Sequence, residues 1–250
     1  ACRRGDAVMP DTMRLMQLPI ETWYRVPWLV RAAGSLFSLA RLVFRWPDPK
    51  TAFKGKLGVA KRAAWSRPIP LAEVRAVGHA LGGTINDVLM AALTGALHRY
   101  LAARATPKPN LSVRAAMPVS LRPLHQLAAL GNRFGLIFLA LPVGIADPLE
   151  RLAEVRKRAS ALKRSAEPWV VLGILAAMGW ATLAIQRLVV TIFAPKATTV
   201  LTNVPGPRQP LYLGHAPIRD FFFWVPQSGR VGLGLSIFRY AGAVRVGIGT

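Results

Sequence analysis

Gly82-Gly83-Thr84-Ile85-Asn86-Asp87-Val88-Leu89-Met90 closes one helix and opens another, and the elements around it follow in both directions. Before it, Leu71, Val74, Val77 and Leu81 recur at helical spacing, and Gly82-Gly83 ends that helix because glycine accepts the left-handed geometry of a C-cap. After it, Thr84 is a natural N-cap, Asp87 takes the third helical position, and Val88–Leu101 continues as a long apolar helix. Leu111–Met117 alternates toward Pro118 and reads as a strand, and Phe134–Val143 reads as a second, largely buried one. Asp147-Pro148-Leu149-Glu150 combines cap, first-turn proline and N3 carboxylate, with Leu149, Leu152, Val155, Ala159 and Leu162 as the helix stripe. The last third predicts strands at Thr198–Val204, Ile218–Trp224, Val231–Phe238 and Ala243–Gly249, the last two joined by a tight turn at Ala241-Gly242. This order gives an α/β fold with a mixed sheet and flanking helices, not a doubly wound parallel one.

Two apolar stretches bear on membranes. Trp23–Trp46 is a basic amphipathic helix with Trp at both ends, Pro27 near its start, Arg31, Arg41 and Arg45 along it, and Pro47-Asp48-Pro49 as its stop. It fits an interfacial helix or a crossover helix packed on another lobe, and the sequence leaves both open. Pro168–Gln186 has no charged residue and, with Leu188–Ala194 beyond Arg187, reads as a hydrophobic helical hairpin. Its length sits just at the ~20 residues that a span requires. Between these stretches, Lys50–Pro68 carries Lys54, Lys56, Lys61, Arg62 and Arg67 and reads as a basic linker. Pro68–Pro70 is the boundary, dividing the chain into 1–67 and 68–250.

The chain has 250 residues, 52% hydrophobic, and a net charge of +22, which supports a sizeable core and attracts polyanions: nucleic acid, anionic lipid or an anionic cofactor. Nucleic acid is disfavoured, because the seven Trp and ten Phe concentrate in apolar runs and not in basic stripes. Cys2 is the single cysteine, so no intrachain disulfide and no cysteine-based metal site can form, and a reducing, intracellular compartment is expected. No signal peptide pattern opens the sequence, and Arg4-Gly5-Asp6 reads as a chance match to an integrin ligand. The first residue is not Met and Thr250 stops inside a strand pattern, so a fragment is expected.

Four strings, in this order, carry a resemblance: Asn86-Asp87, Pro118-Val119-Ser120-Leu121-Arg122, Gly131-Asn132 and Thr202-Asn203-Val204-Pro205-Gly206-Pro207. From about Leu71 to Thr250 the chain resembles the C-terminal half of the bacterial-type wax ester synthase/diacylglycerol acyltransferase family, part of the CoA-dependent acyltransferase superfamily. The resemblance implies the C-terminal lobe of a chloramphenicol-acetyltransferase-like two-lobed fold, with 1–67 as a remnant of the N-terminal lobe plus crossover linker. It implies an O-acyltransferase moving a fatty acyl group from acyl-CoA to diacylglycerol or a long-chain alcohol. Acyl-CoA is then a substrate and no cofactor is expected, and the setting is the cytoplasmic face of an anionic membrane or a lipid droplet. The family's His-His-x-x-x-Asp-Gly string is absent, so no catalytic residue is assigned and the chain alone is expected to be inactive. The alternative is a non-catalytic protein that binds a lipid surface.

Within that resemblance Asn86, Asp87, Thr202 and Asn203 would support the substrate tunnel, and donors on Thr202 and Asn203 could steady a developing oxyanion. Asp87 is equally explained as helix-start support. Arg122 could bind a CoA phosphate or be a surface arginine. Gly131-Asn132 suits a sharp entry into the next strand. The four histidines, His79, His98, His125 and His215, include no i,i+4 pair, so no metal site is assigned. There is no Gly-x-Ser-x-Gly elbow or Walker loop, and Gly232-Leu233-Gly234 precedes no helix.

Overall fold

The structure is a computed structural model that describes residues 28–55, 58–121, 134–226 and 231–250, with side chains from residue 33 onward. In chain order the elements are α1 (Trp28–Val43), β1 (Ala63–Trp65), β2 (Ile69–Pro70), α2 (Leu71–Ala80), α3 (Ile85–Ala102), β3 (Val113–Ser120) and β4 (Phe134–Leu141). Then come α4 (Pro148–Lys163), α5 (Glu167–Trp180), α6 (Leu183–Phe193), β5 (Thr199–Pro205), β6 (Tyr212–Leu213), β7 (Ala216–Pro217), β8 (Leu233–Tyr240) and β9 (Ala243–Gly249). Among the described residues the main sheet has seven strands in the order β1-β9-β8-β5-β3-β4, with β2 also on β9. β5 runs parallel to β3 and β8, and the remaining pairs are antiparallel, so the sheet is mixed as expected.

Alternation along the strands separates two cores. On one face Val113, Leu139, Leu201, Leu235 and Ile237 meet Leu89, Leu93 and Leu97 of α3 and Leu152 and Val155 of α4. On the other, Ala116 and Phe138 meet Leu42 of α1 and Val171 of α5. Every residue of β8 is buried, the mark of a strand covered on both sides.

The expected strand Ile218–Trp224 is not one. Residues 218–226 form no ladder and instead cover β8 and β9: Phe221 and Phe223 lie against the Phe238 ring, and Trp224 Nε1 donates to Ala64 O at 3.2 Å. Gly234 and Gly247 make the approach possible, since a Cβ on either would collide with the backbone of Val225 or Phe223. Three consecutive phenylalanines satisfy a packing lid as well as a strand, so the pattern alone could not separate them. The basic stretch before Pro68 is not a featureless linker either, because Ala63–Trp65 pairs antiparallel with Gly247–Gly249 as the outermost strand.

Two buried carboxylates tie the N-terminal segment to the sheet. Asp48 accepts from Arg114 N–H at 2.8 Å and from Thr198 Oγ1, and it pairs with Arg114 Nε at 3.4 Å. Beside it, Lys196 Nζ donates to the carbonyls of Leu42 and Val43 at 2.6 and 2.5 Å. Glu167, 2% exposed, pairs with Arg45 at 3.0 Å and accepts Phe138 N–H at 2.8 Å. That N–H belongs to the outermost strand β4, whose Ala140 carbonyl likewise accepts from Arg158 Nη1 at 2.9 Å.

The hydrophobic hairpin expected over 168–194 is present as α5 and α6. Among the described residues no single helix is long and apolar enough to cross a membrane. The 14 residues of α5 reach roughly 21 Å against a hydrocarbon core of ~30 Å, so the span reading does not hold there.

Candidate functional site

The start of α3 is built as its sequence predicts. Gly82 has φ +62°, and Gly83 N–H bonds back to Gly78 O at 2.8 Å, closing α2. Thr84 is extended and caps α3: its Oγ1 accepts Asp87 N–H at 3.2 Å, while the Asp87 carboxylate accepts Thr84 N–H at 2.9 Å and Thr84 Oγ1–H at 2.7 Å. Asp87 is thereby buried in a reciprocal capping box, its Oδ2 taking both Thr84 hydrogens.

That leaves Asn86, one position earlier, to reach the sheet. Asn203 Nδ2 on β5 donates to Asn86 Oδ1 at 3.1 Å across 117 residues of sequence. Asn203 is 5% exposed, and its own Oδ1 is buried without a hydrogen-bond partner among the described residues. A buried amide oxygen without a partner costs ~1–3 kcal/mol and marks a place where a donor from elsewhere would be welcome. Three of the four residues expected at the tunnel, Asn86, Asp87 and Asn203, thus meet where α3 begins. Thr202 is half-buried and adjacent to Asn203 on a strand, so it projects to the opposite face and does not join them.

The strand beyond Asn203 ends in Pro205-Gly206-Pro207. Gly206 N–H bonds Arg239 O at 2.9 Å, and a Cβ on Gly206 would collide with that carbonyl and with the Phe238 ring, so only glycine fits. This strand end borders a cavity of about 410 Å³ that Arg75, Arg208 and the buried Arg239 also line. Arg122, Gly131-Asn132 and His125 lie outside the described residues. His98 Nδ1 donates to Val143 O at 2.8 Å, and His79 and His215 are exposed. No group of His, Cys, Asp or Glu among the described residues is arranged to hold a metal ion.

Arg239 was missed from the sequence because the strand expected there stops at Phe238, one residue short. The visible signal was a single guanidinium in a run, Leu233–Tyr240, whose only other polar aliphatic side chain is Ser236. Burial lowers its pKa from the ordinary arginine value.

Residues 130–250 match the WS/DGAT C-terminal domain. That match places residues 130–250 with the C-terminal domain of the wax ester synthase/diacylglycerol acyltransferase family. One relative, named as a candidate diacylglycerol O-acyltransferase of Mycobacterium tuberculosis, is 34% identical over 187 residues, covering 68% of this chain and 38% of the relative. Another from the same organism, with a similar name, is 32% identical over 202 residues, covering 75% and 43%. The chain therefore spans about two-fifths of these relatives' length. In fold it is similar to the wax ester synthase/diacylglycerol acyltransferase from Marinobacter aquaeolei VT8, with TM-score 0.57 and 23% identity over 88% of this chain and 50% of that one. The cyclization-docking bidomain of EpoB from Sorangium cellulosum, a nonribosomal peptide synthetase, is similar too, with TM-score 0.56 and 12% identity over 92% and 45%. The WS/DGAT domain thus has the mixed α/β lobe that its sequence implied.

Proposed function

We propose that this chain forms one wall of an O-acyltransferase centre that moves a fatty acyl group from acyl-CoA to diacylglycerol or a long-chain alcohol. The observation that carries the reading is the Asn203–Asn86 hydrogen bond, because it joins the two family strings at one point, buried at Asn203. In the proposed reaction the alcohol oxygen attacks the thioester carbonyl. A C–O bond forms, the C–S bond breaks, and the thiol leaves with the proton taken from the alcohol. The base for that proton is supplied by a histidine outside this chain, and no cofactor takes part. The amides of Asn86 and Asn203 order the wall that the reacting carbonyl approaches.

We further infer that the centre works at an anionic membrane or lipid-droplet surface on the cytoplasmic side. The support is α6, where Leu183, Ile185, Leu188, Val190 and Ile192 are all exposed beside the nearly bare Trp180. Exposed apolar side chains on both flanks of α6, on a chain of charge +22, suit an anionic lipid face.

The test is a fusion of this chain to the N-terminal half of its 34%-identical relative, assayed for ester formation from acyl-CoA. The chain alone should be inactive and the fusion active. Asn86→Ala and Asn203→Ala should each lower kcat of the folded fusion about tenfold or more, as expected for losing a positioned polar group. Unchanged turnover in both variants would overturn the assignment.

A further inference from the structure

Arg151 and Arg239 are both buried arginines, and the contrast between them is informative. Arg151 donates to the carbonyls of Ala91, Ile145 and Ala146 at 3.1, 3.0 and 2.9 Å, so its guanidinium is consumed by the fold. Arg239 is equally buried, at 5% exposed, yet among the described residues its Nε and Nη2 have no hydrogen-bond partner and no carboxylate pairs with it. A guanidinium does not escape this by losing its proton. An unpaired buried charge is costly, and an anion bound beside it would offset that cost.

The surroundings specify that partner. Arg239 shares its cavity with Arg75 and Arg208, both on the surface. The wall opposite is Pro205-Gly206-Pro207: the two prolines have no N–H, and Gly206 gives its own to Arg239 O. That loop has nothing left to donate, so recognition falls to the guanidinium forks. The first turn of α2 borders the cavity through Leu71 and has no side-chain cap. Three guanidinium groups exceed what one carboxylate balances, and they match the oxygens of a phosphate ester or diphosphate.

We propose that the Arg239 cavity is a phosphate-binding site, with Arg239 in its depth and Arg75 and Arg208 at its mouth. It lies two residues along β5 from Asn203, about 7 Å, at the end where the parallel strands β5 and β8 finish side by side. The site stands on geometry alone and does not require the acyltransferase reading. Its phosphate could come from a soluble thiol carrier of the CoA type or from a phospholipid headgroup.

The test is calorimetric titration of the 250-residue chain with inorganic diphosphate, CoA and 3′-dephospho-CoA, together with sedimentation on phosphatidylcholine vesicles with and without phosphatidate. Diphosphate should bind, and Arg239→Gln should weaken it at least tenfold. Arg75→Ala and Arg208→Ala should each weaken it less, and the exposed pair Arg62→Ala and Arg67→Ala should leave it unchanged. Preference for CoA over 3′-dephospho-CoA, or for phosphatidate vesicles, supports the site and names the source of the phosphate. In the absence of any anion, Arg239→Gln should raise the thermal midpoint, because it removes an unpaired buried charge. A lowered midpoint would show that Arg239 serves the fold and would overturn the proposal. So would wild-type affinity for diphosphate in Arg239→Gln, loss equal to that of the Arg62 and Arg67 pair, or no binding of any probe to the wild type.

Discussion

Replacing Asn86 by Ala takes away the carbonyl that Asn203 Nδ2 reaches at 3.1 Å and leaves a second buried polar atom on Asn203 unpaired. Capping alone predicts almost no cost, because Thr84 and Asp87 already satisfy the helix start. The cross-sheet bond predicts about 1 kcal/mol, and a double-mutant cycle of Asn86→Ala with Asn203→Ala should show coupling of about the same size. Additive midpoints in urea would mean that the bond carries no stability. Asp87→Ala is a different case: it deletes the Oδ2 that accepts both Thr84 hydrogens and should cost about 1–2 kcal/mol in the same assay, with no coupling to Asn203. Glu154 adds a pH signature. The hydrogen bond from Arg158 Nε at 2.7 Å, aided by the positive charges of Arg158 and Lys157, holds its carboxyl below the ordinary value of 4.5, against the opposing effect of burial. The unfolded chain regains the ordinary value, so this stabilisation is complete above it and is lost as the pH falls through the folded-state pKa. Glu154→Gln should therefore narrow the gap in stability between neutral pH and about pH 3. An unchanged gap would count against the pair.

At the level of elements, Glu167 holds three of them at once. It sits at the start of α5, takes Arg45 beyond α1, and accepts a backbone N–H of β4. Glu167→Ala breaks a buried pair and should cost about 3–5 kcal/mol. Hydrogen exchange should then rise first in α1, whose packing against α5 depends on it; exchange that rises evenly across the chain would contradict that order. The sequence showed much of this level and not all of it. Helices α2 to α4 were legible because Thr84, Asp87, Gly82 and Asp147-Pro148 are local signals that tertiary context left standing. Residues 218–226 were not, since Phe221, Phe222 and Phe223 are hydrophobic on every side and their role depends on Gly234 and Gly247 leaving room in another part of the chain. The same limit hid Asp48, Glu167 and Arg239. A buried charge is recognised by its partner, or by the lack of one, and neither is written next to it.

For the whole molecule, the exposed apolar side chains of α6 and the net charge of +22 predict binding to anionic vesicles. Sedimentation should weaken with salt, because exposed charges are screened over ~8 Å at physiological ionic strength. A Leu188→Asp and Ile192→Asp double variant should release the salt-resistant part. Binding that is equal on neutral vesicles at every salt concentration would remove the electrostatic share.

The outer margin of β4 bears on how the protein behaves in a crowded solution. A terminal strand presents alternating donors and acceptors to any extended peptide, and recruitment of such peptides is how sheets grow into aggregates. Here the Phe138 donor is plugged by Glu167 and the Ala140 acceptor by Arg158, so side chains from the neighbouring helices take the positions a foreign strand would need. Glu167→Ala combined with Arg158→Ala unplugs both. Turbidity on gentle heating, well below the unfolding midpoint, should then rise with protein concentration and seed further growth, while wild-type protein under the same conditions stays clear.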